Sequence, residues 1–145
     1  MKILGHPVHM MLIHFPSALF PMSVLCSAAH FYTGNAAFSD TAFFTLTGGV
    51  VAGWLAAVAG MLDLTAVIAN KPTAMKKALI HGGINSIVLI GFSLFLYKAS
   101  KTYPAHEVES MVSLITKGVL VAIMITGNFM GGSLILKDGV NVEKQ

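Results

Sequence analysis

Four apolar stretches of 25 to 29 residues dominate this chain, and each is long enough to cross a lipid bilayer. A spanning helix needs about 20 mostly apolar residues. Backbone polar groups cannot stay unpaired in hydrocarbon, so stretches of this kind must be helical. They cover residues 8–32, 42–69, 74–98 and 108–136. We therefore predict an all-α integral membrane protein in which residues 1–145 form a single domain of four spans.

Short polar connections separate the stretches. Asp40 or Thr41 is expected to cap the second helix. The segment Asn70-Lys71-Pro72-Thr73 is expected to end that helix and begin the third, and Pro104 to begin the fourth. Connections this short make consecutive helices antiparallel neighbours, which predicts a four-helix bundle with up-down-up-down order.

The distribution of lysine predicts the orientation, because cytoplasmic loops carry an excess of basic residues. Six lysines fall on the side that holds both termini and the second connection, against two on the opposite side. Both termini are therefore predicted to be cytoplasmic. These lysines are Lys2, Lys71, Lys76, Lys77, Lys137 and Lys144 on the first side and Lys98 and Lys101 on the second.

Composition excludes several classes of function. Only 10% of the residues are charged, whereas a soluble domain carries about 25%. All nine basic residues are lysine, so the chain lacks the arginine fork that reads phosphates and base edges, and no nucleic-acid partner is expected. Histidines interrupt the first apolar stretch and no clean cleavage site follows it, so we expect a retained span rather than a signal peptide.

Polar side chains recur at one depth inside the spans. At about 1.5 Å of rise per residue, His14, Asp63 and His81 each lie roughly 10 Å from the same membrane face, and Asn128 roughly 13 Å. Asn85 follows His81 by one helical turn. Ionisable groups inside a span are costly and usually line a site. A hydrogen-bond cluster alone would offset that cost poorly, so a bound cofactor, a metal or a proton path is expected.

Two imidazoles on opposite helices suit the axial positions of a b-type haem, and we predict His14 and His81 as the ligands of one or two haem b groups. Gly82 would give clearance for the flat ring. His6 and His9 are expected at the membrane interface, either solvated or bonded to an anionic ligand edge or a quinone headgroup. This pattern favours an electron-transfer protein over a stand-alone enzyme, as a partner or subunit of a larger quinone-linked redox complex.

Other functions remain open at this stage. Copper or zinc could bind at His14 and His81, which would indicate a metal-binding or metal-transport protein. A structural accessory subunit without a cofactor is a further alternative. Glycine-rich helix faces make a homo-oligomer plausible. A faint repeat, in which Leu12-Ile13-His14 matches Leu79-Ile80-His81 at an offset of 67 residues, suggests an axis along the membrane normal. His30 and His106 fall near the opposite surface, where they are expected as interfacial residues, with a second site between them as an alternative.

The opening Gly5-His6-Pro7-Val8-His9, followed by His14-Phe15-Pro16, resembles that of a family of predicted bacterial four-helix membrane proteins. Its members begin Gly-His-Pro-x-His-Pro-x-x-x-His-Phe-Pro, and this chain departs at Met10. The resemblance implies a multi-pass protein of the bacterial inner membrane, sometimes joined to redox domains, and leaves the ligand open. It extends over nearly the whole chain, through Asp63, Leu79-Ile80-His81, Asn85 and Gly127-Asn128-Phe129-Met130-Gly131-Gly132.

Overall fold

The computed structural model describes the backbone of residues 2–3, 6–70 and 72–137, and the side chains of residues 8–65 and 73–137. A pair of two-residue antiparallel strands precedes the helices. The first crossing is formed by two helices in succession, and each later crossing by one. The elements are β1 (Lys2–Ile3), β2 (His6–Pro7), α1 (Val8–Leu12), α2 (His14–Thr33), α3 (Ala36–Asn70), α4 (Pro72–Thr102) and α5 (Met111–Leu136).

Four helical segments are long and apolar enough to cross a membrane, which confirms the prediction of an all-α, four-span protein. Large apolar side chains such as Leu25, Ile87 and Phe129 are exposed on the outer surface of the bundle, where lipid would cover them. The side of the membrane that holds the termini stays a prediction. The spanning segments are Val8–Thr33, Ala36–Thr65, Thr73–Thr102 and Met111–Leu136.

The second and fourth crossings begin at different residues from those predicted. Helix α3 begins at Ala36, because Asn35 Oδ1 accepts a hydrogen bond from the Ala37 amide at 3.0 Å, and neither Asp40 nor Thr41 is the cap. Helix α5 begins at Met111, where Ser110 Oγ accepts from the Ser113 amide at 3.2 Å. The predicted start at Pro104 is therefore wrong, and residues 103–110 form a connection instead.

Each crossing packs against the next one in sequence, and α2 also packs against α5, so the four crossings close into a bundle. The contacts between α2 and α3 run in opposite directions along the two helices. Ser23 Oγ donates to the Ala42 carbonyl near one end of the pair, whereas Phe20 packs against Gly49 further along. The two-residue link between these helices leaves no other arrangement.

The centre of the bundle is an apolar core built around two stacked phenylalanines. The rings of Phe20 and Phe92 lie 4.0 Å apart at an angle of 10°, and these residues are 2% and 0% exposed. Further apolar side chains surround the stack and separate two polar regions, one on each side of the core. The core cluster consists of Phe20, Leu46, Val50, Val88, Leu89, Phe92 and Met124.

Candidate functional site

A cavity of about 590 Å³, hereafter the ligand cavity, lies between the core and the α3–α4 turn. Core residues Phe20 and Val88 form its apolar floor. Its volume falls within the range of about 300–1,000 Å³ that cofactor and ligand sites occupy. The side chain of His6 lies outside the described residues. The other predicted ligand-binding residues all line this cavity, namely His9, His14, Asp63, His81, Gly82, Asn85 and Asn128.

His9 and His81 make the same hydrogen bond on two different helices. His9 Nδ1 lies 2.7 Å from the Ala56 carbonyl oxygen of α3, and His81 Nδ1 lies 2.7 Å from the Gly127 carbonyl oxygen of α5. A carbonyl oxygen only accepts, so each Nδ1 carries a proton. In the neutral ring Nε2 then keeps its lone pair, and neither Nε2 hydrogen-bonds to a described residue. Both rings are thus in the tautomer that can bind a metal through Nε2.

Two glycines let these rings approach the helix backbone. A Cβ placed on Gly60 would lie 2.9 Å from His9 Cε1, and one on Gly131 would lie 2.6 Å from His81 Cε1. Carbon atoms in contact prefer about 3.5–4.0 Å, so any side chain at either position would displace the imidazole. Each glycine follows the accepting carbonyl by four residues, which is one helical turn. The two histidines therefore occupy equivalent niches.

This equivalence relates the two halves of the bundle. Residues on the first and third crossings correspond at an offset of 72, and residues on the second and fourth at 71, instead of the 67 that the sequence suggested. The stacked Phe20 and Phe92 correspond to each other and meet at the centre. An axis along the membrane normal explains both observations. The corresponding pairs are His9 with His81, Phe20 with Phe92, Ala56 with Gly127, and Gly60 with Gly131.

The two rings also lie at a common level. His9 packs against Gly60, ten residues before α3 ends at Asn70, and His81 lies nine residues after α4 begins at Pro72. With about 1.5 Å of rise per residue, both are roughly 14 Å from the α3–α4 turn. His9 is therefore deeper than the interfacial position expected from the sequence.

His14 lines the same cavity from a more exposed position. The chain turns at Ile13 between α1 and α2, and His14 is the first residue of α2. Its side chain is exposed and makes no hydrogen bond to a described residue. His14 therefore lies at the edge of the cavity without the backbone hydrogen bond that orients His9 and His81.

Amide side chains complete the polar wall. Asn85 Nδ2 donates to the His81 carbonyl at 3.0 Å and lies 3.2 Å from His81 Nδ1. Asn128 Nδ2 donates to Ser17 Oγ at 2.9 Å, and this contact ties α5 to the first crossing. Asp63 is buried, at 6% exposed. Gly82 is exposed, and a Cβ placed there would meet nothing within 4 Å.

The described residues include no group of three His, Cys, Asp or Glu side chains that could hold a metal ion. A bare copper or zinc ion usually takes three or four protein ligands. A haem iron needs only two axial ligands from the protein, because the porphyrin supplies the other four.

Sequence reasoning did not single out Lys117, which is 1% exposed in the half of the bundle beyond the core. Its Nζ forms an ion pair with Glu109 and donates to Ser27 Oγ at 3.3 Å. One lysine changes neither the length nor the apolar character of the fourth stretch. An ionisable residue inside a span is nevertheless itself a signal of a site.

Comparisons with known proteins identify the family. The family model described as "Predicted membrane protein (DUF2231)" matches residues 5–144. No curated protein and no solved structure matches the chain. The matched range spans nearly all of the sequence, including every crossing and every described residue of the ligand cavity. The chain therefore belongs to the DUF2231 family of predicted membrane proteins.

Proposed function

We propose that the ligand cavity holds one b-type haem and that the protein transfers electrons within the membrane. The observation that carries this proposal is the matched pair of His9 and His81, two level imidazoles whose Nδ1–H groups are each bound to a backbone carbonyl. When bound, haem iron accepts and donates a single electron, and its axial ligands, hydrogen bonds and burial set the potential.

The chain's own residues would hold and orient the group. The carbonyls of Ala56 and Gly127 fix the imidazole tautomers and increase the basicity of Nε2. Gly82 leaves open space beside His81 for the edge of a flat ring. The apolar floor keeps water from one side of the cavity and so lowers the local dielectric constant.

The identity of the second axial ligand is part of the proposal. The sequence paired His81 with His14. The geometry gives more support to His9, because His9 shares the level, the carbonyl hydrogen bond and the glycine niche of His81. We propose His9 and His81 as the axial pair, with His14 at the cavity edge, where it can bond to a haem propionate or to a reacting quinone.

Asp63 and the amides are proposed to serve proton and positioning roles. Asn128 orients the first crossing through Ser17, and Asn85 packs against the ring of His81. The buried Asp63 carboxyl lies towards the α3–α4 turn, where it can exchange a proton as the charge of the site changes. In a bacterial inner membrane the electron donor or acceptor would be a quinone or another redox subunit.

Absorption spectra of the detergent-purified protein, oxidised and reduced, test the proposal. We expect a low-spin haem spectrum that His9→Ala and His81→Ala each remove, and that His14→Ala retains with a shifted potential. His106→Ala, beyond the core, is the matched control and should keep the spectrum. A colourless wild-type protein, or a spectrum unchanged in both axial variants, would refute the proposal.

Elemental analysis of the same preparation distinguishes the other functions. Iron at one atom per chain supports haem, whereas copper or zinc without a haem band would indicate a metal-binding or transport protein. A colourless and metal-free protein would indicate a structural accessory subunit.

A further inference from the structure

A second cavity lies at the opposite end of the bundle, bordered by α2, α3, α4 and the connection of residues 103–110. This loop cavity has a volume of about 120 Å³. Organic ligands and cofactors occupy about 300–1,000 Å³. Each water molecule takes about 30 Å³, so the loop cavity has room for roughly four waters. Its size favours water and protons over an organic ligand.

His30 lies in this cavity between two backbone carbonyls. Its Nδ1 is 3.0 Å from the Asn35 carbonyl oxygen, and its Nε2 is 3.0 Å from the His106 carbonyl oxygen. Carbonyl oxygens only accept, so both ring nitrogens must donate, and only the doubly protonated imidazolium can do so. His30 is 4% exposed. The geometry therefore assigns a buried cation to this position.

A buried ion pair lies beside His30. Lys117 Nζ pairs with Glu109 Oε1, donates to Ser27 Oγ and lies 5.2 Å from the centre of the Phe95 ring. Ser27 also donates to Glu109 Oε1 at 3.4 Å and precedes His30 by one turn of α2. The Glu109 carboxylate thus pairs with Lys117 and contacts Ser27, one helical turn from His30.

Two buried polar atoms in the described part of the loop cavity have no hydrogen-bond partner. They are Glu109 Oε2 and His106 Nδ1. The distance from His106 Nδ1 to Asp40 Oδ1 is 3.6 Å, which is too long for a hydrogen bond. Buried polar atoms without a protein partner are commonly satisfied by ordered water. Water bound to these two atoms would lie in the loop cavity, which His30 also lines.

We propose that the loop cavity is a proton-exchange site, in which His30 binds the proton and the bound proton fastens the 103–110 connection to α2. Binding adds one proton from cavity water to the unprotonated nitrogen of neutral His30 and completes its second hydrogen bond. Release to water reverses the step. His106 has φ 51°, in the left-handed region that non-glycine residues rarely adopt, so this part of the connection depends on the hydrogen bond to hold it.

Charges on every neighbouring element act on His30. Carboxylates favour the imidazolium and ammonium groups oppose it. Burial, together with the Asp40 carboxylate, raises the pKa of the Tyr103 phenol, which therefore stays neutral near pH 7. The apolar core separates the loop cavity from the ligand cavity, so proton exchange at His30 does not depend on haem binding. The titratable groups around the loop cavity are Asp40, Lys98, Tyr103, His106, Glu107, Glu109 and Lys117.

Nitrogen NMR of the full-length protein in lipid nanodiscs, with ¹⁵N-labelled histidine, tests the charge of His30. We expect one histidine with both ring nitrogens protonated, and we expect His30→Gln to remove that signal. Glu109→Gln removes a negative charge and should shift the loss of the doubly protonated signal to lower pH. Lys117→Met removes a positive charge and should shift that loss to higher pH. Lys101→Gln, which removes a charge from an exposed side chain at the end of α4 that does not line the loop cavity, is the matched control.

Thiol labelling tests whether the proton on His30 holds the 103–110 connection against α2. With Cys26 replaced by serine and Glu107 by cysteine, the labelling rate is divided at each pH by that of the same protein carrying His30→Gln, which removes the pH dependence of the thiol itself. This ratio should increase about three- to tenfold as pH rises through the loss of the doubly protonated signal, the change expected for one net hydrogen bond. A neutral His30 throughout the accessible pH range, or shifts of the same sign in the Glu109 and Lys117 variants, would overturn the proposal. A labelling ratio that does not change with pH would also overturn the proposal.

Discussion

Gly60 and Gly131 determine where the imidazole rings of His9 and His81 lie. Each ring rests against the helix backbone at a distance that no side chain would allow. Each Nδ1–H donates to a backbone carbonyl on the helix of the glycine, one turn before that glycine. The orientation of both rings is therefore set by backbone atoms of a neighbouring crossing, which makes their positions less sensitive to side-chain motion.

Adding a methyl group at these glycines should disturb the site before it disturbs the fold. In Gly131→Ala the new Cβ would lie 2.6 Å from His81 Cε1, so the ring must rotate and lose its bond to Gly127. We expect the low-spin haem spectrum to be lost or converted to a high-spin form in Gly131→Ala and in Gly60→Ala. Absorption and circular dichroism spectra measure the two effects separately.

Gly118→Ala is the matched control, because a Cβ there meets nothing within 4 Å. This variant should keep the spectrum and gain roughly 0.5–1 kcal/mol of helix stability. A normal haem spectrum in both site variants would show that the glycines do not position the rings.

The sequence predicted most of the polar residues that line the ligand cavity. It paired His81 with His14, whereas the proposal above favours His9. His81, Asn85 and Asn128 fall at one depth because helical rise is regular. The sequence analysis underestimated the depth of His9, because the depth was counted from the start of the first apolar stretch. In the structure, α3 and α4 extend about 14 Å past the level of His9 towards the α3–α4 turn. Only coordinates reveal that difference in helix length.

At the scale of the elements, local capping explains where the helices begin. Asn35 and Ser110 supply side-chain oxygens to the first free amides of α3 and α5. The sequence analysis predicted Asp40 or Thr41 as the cap of α3 and Pro104 as the start of α5. The structure differs because the side-chain oxygens of Asn35 and Ser110 reach the amides of Ala37 and Ser113, a geometry that periodicity does not encode.

Removing a cap should weaken the bundle modestly. Asn35→Ala and Ser110→Ala should each lower the free energy of unfolding by about 1 kcal/mol, within the usual range of about 0.5–2 kcal/mol. Thermal unfolding in detergent would measure the change. Ser100→Ala, whose hydroxyl donates only to the Tyr97 carbonyl within α4, should have little effect and serves as the comparison. Equal losses in all three variants would contradict the assignment of the caps.

At the scale of the whole molecule, an apolar core divides two polar sites. The stacked Phe20 and Phe92 lie on the axis that relates the two halves of the bundle. The ligand cavity lies on the side of the α3–α4 turn, and the loop cavity lies on the other. The four-span fold could be predicted because apolar length alone requires it. A second site between His30 and His106 was among the possibilities, but Glu109 and Lys117 could not be assigned to it, because these residues come from separate segments of the chain.

The orientation of the bundle can be tested with single cysteines in the Cys26→Ser background. Lysine asymmetry predicts that Lys137→Cys faces the cytoplasm and Lys101→Cys faces the opposite side. A membrane-impermeant thiol reagent added to intact cells should label Lys101→Cys. It should label Lys137→Cys only after the cells are opened. The reverse pattern would invert the assignment and place the ligand cavity nearer the outer surface.

Electron paramagnetic resonance of the oxidised wild-type protein tests the central claim most directly, namely that two imidazoles from the first and third crossings bind one haem iron. We expect a low-spin ferric signal typical of two histidine ligands, at one spin per chain, that disappears on reduction and is missing in His81→Ala. A purified, folded protein without any ferric signal, or with only a high-spin one, would contradict the account.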